Sequence, residues 1–390
     1  MSVNIPELMP CFRELIATPS VSSIDPSIDQ SNVPVINLLA NWFSDTGFET
    51  EILPVSDNPE KANLIACLGK GEGGLVLSGH TDTVPFNANA WEQDPFELTE
   101  REDKLFGLGT TDMKCFFPLI LESLRTLDVT RLNRPLYVLA TADEESTMSG
   151  AIALVNSNRK LGRYALIGEP TNLQPVNMHK GILLEKIRVT GIAGHSSDPS
   201  LGASALEGMH AVISELLKWR EQMQSEFINP AFKVPYPTLN FGSIHGGDNP
   251  NRICAECELA IDLRLLPGMA LEEFKQLLKD KVAATVAGTK LKADVDPVFK
   301  GVAGMETGAD TEIVKVAEEL SGETSGAVAF TTEGPYLNAM GMETVILGPG
   351  DIDQAHQANE FIYRDKLEPM VEILKNMIGH FCIEGNMHAG

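Results

Sequence analysis

The sequence predicts an α/β protein into which a smaller α+β unit is inserted. Over residues 1–180, continuously apolar segments alternate with segments of helical periodicity, which is typical of strands buried between helices. From about residue 181, apolar and polar residues alternate as in half-exposed antiparallel strands. The first pattern then returns, and 390 residues exceed the usual size of one hydrophobic core. We therefore predict a first domain of residues 1–180 and 297–390 and an inserted domain of residues 181–296.

The order of elements in the first domain favours a mostly parallel sheet flanked by helices. Its predicted strands are NLIACLG, GLVLSGH, PLYVLATA, YALIGEP and, after the insertion, ETVILG. Its helices are predicted over about 6–17, 33–45, 113–127, 148–157, 310–321 and 366–382. Ligand sites of such sheets gather at the carboxyl ends of the strands. The inserted domain has the strand segments ILLEKIRVTG, TLNFGSIHGG and RICAECELAIDLRLL, with helices at about 202–225 and 270–286.

Composition and charge exclude several classes of function. Apolar residues make up 43% of the chain and charged residues 22%, which is ordinary for a folded globular protein. The net charge of −24, without any run of Lys or Arg, opposes binding to nucleic acid or to an anionic membrane. The N-terminal segment contains no unbroken apolar run, so we expect neither a signal peptide nor a membrane anchor, and a cytoplasmic location.

Five segments of the first domain carry His, Asp or Glu where an apolar strand ends. They are SGHTD, GTTDMK, ATADEES, IGEPT and QAHQANE, and they supply His80, Asp82, Asp112, Asp143, Glu144, Glu145, Glu169 and His356. Taken singly, each has an ordinary explanation. Asp112 would cap a helix that starts at Met113, and a histidine at a strand end is usually hydrogen bonded.

Taken together, these residues predict a metal site. Carboxylates that meet at neighbouring strand ends repel one another, and buried charge without a partner is costly, so such a cluster needs cations. Imidazole nitrogens and carboxylate oxygens are both zinc ligands. Two Zn²⁺ ions against the carboxylates of Asp112, Glu145 and Glu169 leave one positive charge, which a bridging hydroxide would cancel.

Two short spacings predict a division of roles. Residues i and i+2 of a strand face the same side, so the Asp82 carboxylate is expected to accept the second ring N–H of His80 and to fix its orientation. Neighbouring residues of an extended segment point apart. One of Glu144 and Glu145 is therefore expected to bind metal, while the other reaches the water that attacks the substrate.

These segments, together with GHSSDP in the inserted domain, resemble the di-zinc aminoacylase and carboxypeptidase family of metallopeptidases over essentially the whole chain. The resemblance implies two divalent metal ions per subunit, with zinc expected and cobalt able to substitute. It implies that Asp112 bridges the ions. It also implies that His80 and Glu169 complete one metal site, and that Glu145 and His356 complete the other.

The resemblance also implies catalytic roles. Glu144 would be the general base, and Asp82 would orient His80. The inserted domain would have a ferredoxin-like α+β fold and act as a dimerisation and lid domain, from which His195 reaches a neighbouring active site to stabilise the tetrahedral oxyanion. The alternative for His195 is a local role, capping the helix that starts near Gly202.

The reaction that the resemblance implies is hydrolysis of the amide bond of N2-acetyl-L-ornithine by a homodimeric enzyme of arginine biosynthesis. Asn251 and Arg252 would bind the substrate carboxylate, for which a guanidinium is well shaped, and Glu333 would meet the ornithine ammonium. A solvated surface position is the alternative for Arg252 and Glu333. Succinyl-diaminopimelate, other N-acyl amino acids and short peptides are alternative substrates. A metal-binding protein without catalysis is the alternative from another class.

Overall fold

The computed structural model describes residues 5–55 and 58–383, which form two compact units. The first comprises the described parts of Met1–Asn177, Thr307–Gly326 and Thr332–Gly390, and the second comprises Met178–Glu306 and Ala327–Thr331. The second unit extends beyond the predicted insertion of 181–296. One reason is that Val302 and Ile182 exchange two backbone hydrogen bonds, of 2.8 and 2.9 Å, which tie the chain after residue 297 to this unit.

Helices and strands alternate along most of the described chain. The helices are α1 (Leu8–Ile16), α2 (Val33–Asp45), α3 (Phe116–Leu124), α4 (Ser149–Asn156), α5 (Ala205–Glu226), α6 (Leu271–Val286), α7 (Glu312–Ser321), α8 (Gly334–Ala339) and α9 (Leu367–Cys382). The strands are β1 (Glu49–Pro54), β2 (Ala62–Leu68), β3 (Leu75–His80), β4 (Thr99–Arg101), β5 (Lys104–Phe106), β6 (Leu136–Thr141), β7 (Tyr164–Ile167), β8 (Val176–His179), β9 (Gly181–Thr190), β10 (Thr238–Gly246), β11 (Glu256–Leu265), β12 (Lys292–Pro297), β13 (Met305–Glu306), β14 (Gly326–Val328), β15 (Glu343–Ile346) and β16 (Phe361–Tyr363). Among the described residues, no helix has the length and apolar composition that crossing a membrane would require.

The main sheet of the first unit is mixed. Its strands lie in the order β1-β2-β6-β3-β7-β15-β8. Parallel pairing joins the central strands β6, β3, β7 and β15, whereas β1, β2 and β8 pair antiparallel with their neighbours. The predicted α/β class, with helices flanking the sheet, is confirmed. The parallel arrangement predicted for most of the sheet is found at its centre only.

A hydrophobic core covers one face of this sheet. Alternate residues of a strand face the same side, and Leu75 and Leu77 of β3 both belong to this core. Phe12 of α1, Phe117 of α3 and Phe381 of α9 pack in the same cluster. Every residue of β3 is buried, so its other face is covered as well. This burial on both faces explains why the strand begins with the apolar residues Leu75, Val76 and Leu77.

A small antiparallel sheet, β16-β5-β4, also belongs to the first unit. Phe361 of β16 pairs with Phe106 of β5, and their ring centroids are 5.4 Å apart. This pairing sets the chain that follows Phe106 beside the chain that precedes Phe361. Asp112 lies in the first of these segments and His356 in the second.

The second unit has an antiparallel sheet in the order β10-β11-β9-β12. Its chain order, β9-α5-β10-β11-α6-β12, is the βαββαβ order of ferredoxin-like folds. Buried and half-buried residues alternate along β9, and Leu183, Ile187 and Val189 share a core with residues of α5 and α6. The α+β class predicted for the insertion is confirmed.

Replacing Gly168 by Ala should destabilise the first unit. A Cβ atom built on Gly168 would lie 2.2 Å from Cγ of Phe116, well inside contact distance. Because the Phe116 ring is buried in the core, we expect the free energy of unfolding to fall by about 1–3 kcal/mol, measured by urea unfolding. Gly242→Ala is the matched control, since a Cβ there meets no atom closer than 3.6 Å. An unchanged unfolding midpoint for Gly168→Ala would contradict this close packing.

Candidate metal centre

His80 ends the buried strand β3 and faces two carboxylates of the first unit. Its Nε2 atom lies 3.0 Å from Oδ1 of Asp112 and 3.7 Å from Oε1 of Glu169. Glu169 lies just beyond β7, which pairs parallel with β3, so the carboxyl ends of the two strands bring these side chains together. All three side chains are buried.

Asp112 lies between two histidines. Its Oδ1 faces His80, and its Oδ2 is 3.3 Å from Nε2 of His356. The same Nε2 lies 3.0 Å from Oε1 of Glu145. Helix α3 begins after Cys115, so the interpretation of Asp112 as a helix cap is wrong. The Asp112 carboxylate instead offers one oxygen to each half of the cluster.

The structure brings the five predicted metal ligands together. Two groups of ligand atoms lie within 4.8 Å of one another, namely His80 with Glu144 and Glu169, and His80 with Asp112 and Glu145. The first group includes Glu144, for which the family resemblance implies a different role. His356 joins the second group through Asp112 and Glu145. Its side chain is 55% exposed, so the cluster is open to solvent on the His356 side.

Asp82 contacts His80 through a different atom from the predicted one. Nδ1 of His80 lies 2.9 Å from the backbone carbonyl oxygen of Asp82 and 3.7 Å from its carboxylate. The carboxylate accepts the backbone N–H groups of Glu144 at 3.2 Å and Glu145 at 3.1 Å. The prediction assumed a strand through residue 82, but β3 ends at His80, and the i to i+2 rule does not apply beyond it. Asp82 thus orients His80 through its main chain and holds the Glu144–Glu145 turn through its side chain.

Asp143, the residue before the Glu144–Glu145 turn, is also held in place by a contact with a side chain. Asp143 has a left-handed backbone with a φ of 56°, and its carboxylate lies 2.6 Å from Nζ of Lys61. Lys61 is buried, and its Nζ also lies 2.8 Å from the carboxylate of Asp29. Sequence reasoning missed Lys61, because nothing in its local pattern separates it from a surface lysine. The one available signal is the acidic run that begins at Asp143, which requires a cation nearby when it is buried.

Burial and mutual repulsion shift the pKa values of the clustered groups. Burial raises the pKa of Glu144 well above its usual range, and the charge of Glu169 raises it further. Burial and the charge of Asp112 do the same to the pKa of Glu169. Hydrogen bonds to Asp112 and Glu145 raise the pKa of His356 to about 10. Without metal, bound protons therefore compensate the negative charge that divalent cations would otherwise compensate.

The donor set fits a pair of divalent metal ions. Imidazole nitrogens and carboxylate oxygens are the ligands that zinc takes in hydrolytic sites. Oε1 of Glu144 is buried and accepts no hydrogen bond from the residues that the structure describes. A buried carboxylate oxygen without a partner is costly. A bound water molecule or metal ion beside Glu144 would satisfy it.

His195, Asn251 and Arg252 lie together in the second unit. The backbone of His195 pairs with that of Arg252 in an isolated antiparallel bridge. All three residues are exposed, and the Arg252 guanidinium forms an ion pair with Asp248. The cap of α5 is the Ser204 hydroxyl, so the alternative role of His195 as a helix cap is wrong. The predicted catalytic and substrate-binding roles of these residues stay predictions.

Glu333 is buried in the first unit, with 1% of its surface exposed. Its two carboxylate oxygens accept hydrogen bonds from the hydroxyl groups of Ser78 on β3 and Thr141 on β6. Both oxygens are thus engaged inside the protein. The predicted contact of Glu333 with an ornithine ammonium disagrees with this position, and so does the surface alternative. The contact was predicted from charge complementarity alone, which does not show whether Glu333 is buried.

The fold and the ligand set define an α/β metallohydrolase with an inserted α+β unit. The chain belongs to peptidase family M20/M25/M40, whose model matches residues 76–380. It is 47% identical to a protein from Photorhabdus laumondii over 99% of its own length and 100% of that protein's, and 48% identical to one from Proteus mirabilis over 98% and 99%. Both are named acetylornithine deacetylase. A crystal structure of an M20 metallo-carboxypeptidase from Sulfolobus solfataricus shares its fold, with a TM-score of 0.75, 18% identity, and 96% and 98% of the two chains covered.

Removing metal should lower the melting temperature, and zinc should restore it by an amount that grows with pH. A ligand that binds only the folded chain raises its melting temperature. Hydrogen bonds raise the pKa of His356 to about 10, so zinc has to displace a proton from it at about pH 6 and at about pH 8, and this competition weakens as the pH rises. The pKa of Glu169 is raised as well. Calorimetry after dialysis against a chelator should show a larger zinc-induced increase at about pH 8 than at about pH 6.

The His356→Ala variant serves as the control for this measurement, because zinc should raise its melting temperature less than that of the wild type at both pH values. An equal increase for the wild type at both pH values, or none at either, would contradict the site.

Proposed function

We propose that this chain hydrolyses the amide bond of N2-acetyl-L-ornithine to L-ornithine and acetate, a step of arginine biosynthesis. Relatives that share about half of its residues over nearly the full length of both chains carry the name of this activity. The observation that carries the chemistry is the Asp112 carboxylate, which presents one oxygen to His80 and the other to His356. A carboxylate placed in this way suits two ions that share a ligand.

Five residues would hold the ions. Asp112 would bridge them, His80 and Glu169 would complete one site, and Glu145 and His356 would complete the other. When bound, the ion pair lowers the pKa of a coordinated water and polarises the amide carbonyl of the substrate. Zinc suits this mixture of nitrogen and oxygen ligands, and cobalt would substitute for it.

Glu144 would act as the general base, taking a proton from the attacking water and passing it to the leaving amine. Burial and the charge of Glu169 raise the pKa of Glu144 well above its usual range, which makes this carboxylate a stronger base. Its Oε1 has no hydrogen-bond donor among the described residues, so this oxygen is free to face the water. Asp82 keeps Glu144 in place through the backbone N–H bond of 3.2 Å.

The second unit would act as a dimerisation and lid domain of a homodimer. Nδ1 of His195 accepts the backbone N–H of Ser197, so the ring proton is on Nε2. This N–H would donate to the oxyanion of the tetrahedral intermediate in the neighbouring subunit. Asn251 and Arg252 would bind the substrate carboxylate, and the Arg252 guanidinium would exchange Asp248 for it.

A cytoplasmic location suits this activity. The cysteines of the chain are free thiols, namely Cys11, Cys67, Cys115, Cys254, Cys257 and Cys382. Free thiols are usual in a reducing compartment.

A substrate panel tests the proposed activity. We expect acetate release from N2-acetyl-L-ornithine with a kcat/KM about 100-fold above the values for succinyl-diaminopimelate and for a dipeptide, because polar groups built for one substrate are left unpaired by another. A higher kcat/KM for either competitor would overturn the proposed substrate. Absence of any turnover with two ions bound would favour a metal-binding protein without catalysis.

Replacing Glu144 by Ala should leave two metal ions bound and reduce kcat by about 10²-fold or more, as the loss of a general base does. Metal content and kcat are measured on the same sample. Glu92→Ala is the matched control, because Glu92 is an exposed glutamate that forms an ion pair with Arg101. If Glu144→Ala loses an ion instead, the roles of Glu144 and Glu145 are interchanged.

A further inference from the structure

One buried carboxylate, Glu360, holds the backbone of the segment that carries Asp112. Its side chain is 1% exposed. Oε1 accepts the backbone N–H groups of Thr111 at 2.7 Å and Asp112 at 3.0 Å, and Oε2 accepts that of Gly109 at 2.9 Å. The segment of residues 109–112 therefore curls around a single carboxylate. These three N–H groups lie outside the helices and strands, so the Glu360 carboxylate takes the place of a backbone acceptor.

Further bonds link the same two segments. The backbone N–H of Gly107 donates to the carbonyl oxygen of Glu360 at 3.1 Å, and the Thr111 hydroxyl donates to the carbonyl oxygen of Phe361 at 2.6 Å. The pairing of Phe361 with Phe106 continues this contact into β5 and β16. Glu360 and Phe361 thus hold the chain from Phe106 to Thr111.

Glu360 follows His356 on the same short segment, and His356 shares the Asp112 carboxylate with His80. The main chain of Asp112 is therefore bound by Glu360, while its side chain faces His356. Hydrogen bonds from buried backbone N–H groups are costly to lose, because each N–H is then left without a partner. The separation of Asp112 and His356 thus depends on three such bonds to one side chain.

We propose that Glu360 is a positioning residue, whose carboxylate fixes the backbone of Asp112 relative to His356 so that both side chains reach the same pair of metal ions. It binds neither metal nor substrate itself. This role rests on the proposed two-metal function. It adds Glu360 as a residue that binds the main chain of the proposed bridging ligand, Asp112. Groups that support metal ligands in this way typically contribute 10–100-fold to metal affinity or activity.

The Glu360→Gln variant keeps the shape of this side chain but replaces the carboxylate by a neutral amide with a different hydrogen-bonding capacity. A glutamine has one acceptor oxygen, and its NH₂ group can only donate. Both oxygens of Glu360 accept backbone N–H groups. The NH₂ group of the variant therefore has to face at least one of these N–H groups, and two donors cannot form a hydrogen bond with each other. The backbone at Gly109 or at Thr111 then has to move, and Asp112 moves with it.

The test is a titration of metal-free protein with Co²⁺ alone, followed by the visible absorption of the bound ion and by kcat and KM for acetylornithine. Glu360→Gln should bind Co²⁺ about 10–100-fold more weakly than the wild type, with an altered spectrum and with the loss in kcat rather than in KM. Glu185→Gln is the matched control. Glu185 is 2% exposed on β9 of the second unit, and one of its oxygens has no partner among the described residues. This control should bind Co²⁺ as the wild type does.

The outcomes separate the two proposals. A wild type that binds fewer than two ions would overturn the proposed function and the role of Glu360 with it. A wild type that binds two ions and a Glu360→Gln variant with unchanged Co²⁺ affinity and spectrum would overturn the role of Glu360 alone. A purely structural role would lower the melting temperature of Glu360→Gln without changing the metal affinity of the folded protein, and that result would also overturn the proposal.

Amide hydrogen exchange of the metal-free wild type gives a second test, which does not require the variant to fold. The amides of Gly109, Thr111 and Asp112 should be protected to a similar degree as those of β5, because Glu360 accepts all three. Rapid exchange of the peptide that spans residues 109–112 would overturn the proposal.

Discussion

The repulsion among the buried carboxylates around His80 is the constraint on which the rest of this structure depends. Asp112, Glu144, Glu145 and Glu169 converge on His80, and burial makes each negative charge there expensive. A fold maintains such a cluster only if positive charge enters it. Divalent cations supply that charge, and the same cations make an amide carbonyl and a water molecule reactive. The stability and the chemistry of the site therefore have one cause.

Acidic side chains act in two ways around this centre. Some face the histidines of the cluster, as Asp112 does through both of its oxygens. Others bind the main chain that carries the ligands. Asp82 accepts two N–H groups of the Glu144–Glu145 turn, and Glu360 accepts three from the segment of Asp112. The loops after the strands are thereby fixed by buried carboxylates, and catalytic side chains on loops need such support to keep their geometry.

The α/β class and the convergence of the metal ligands were predictable, because both depend on local patterns. Parallel strands bring their carboxyl ends together, and this explains the approach of His80, Glu145 and Glu169. Asp112 and His356 are brought together by the pairing of β5 with β16, which the sequence patterns did not predict. The atoms that make each contact were not predictable. The i to i+2 rule placed the Asp82 carboxylate on His80, but the strand ends at His80, two residues too early for that rule. Glu333 and Glu360 look like surface glutamates in the sequence, and only distant partners such as Ser78 and Gly109 account for their burial.

Anomalous diffraction from crystals of the zinc-loaded protein tests the shared role of Asp112 most directly. Two zinc peaks are expected in each subunit, each about 2.0–2.2 Å from a different oxygen of Asp112, one beside His80 and the other beside His356. A single peak, or two peaks that do not share Asp112, would contradict a bridged metal pair.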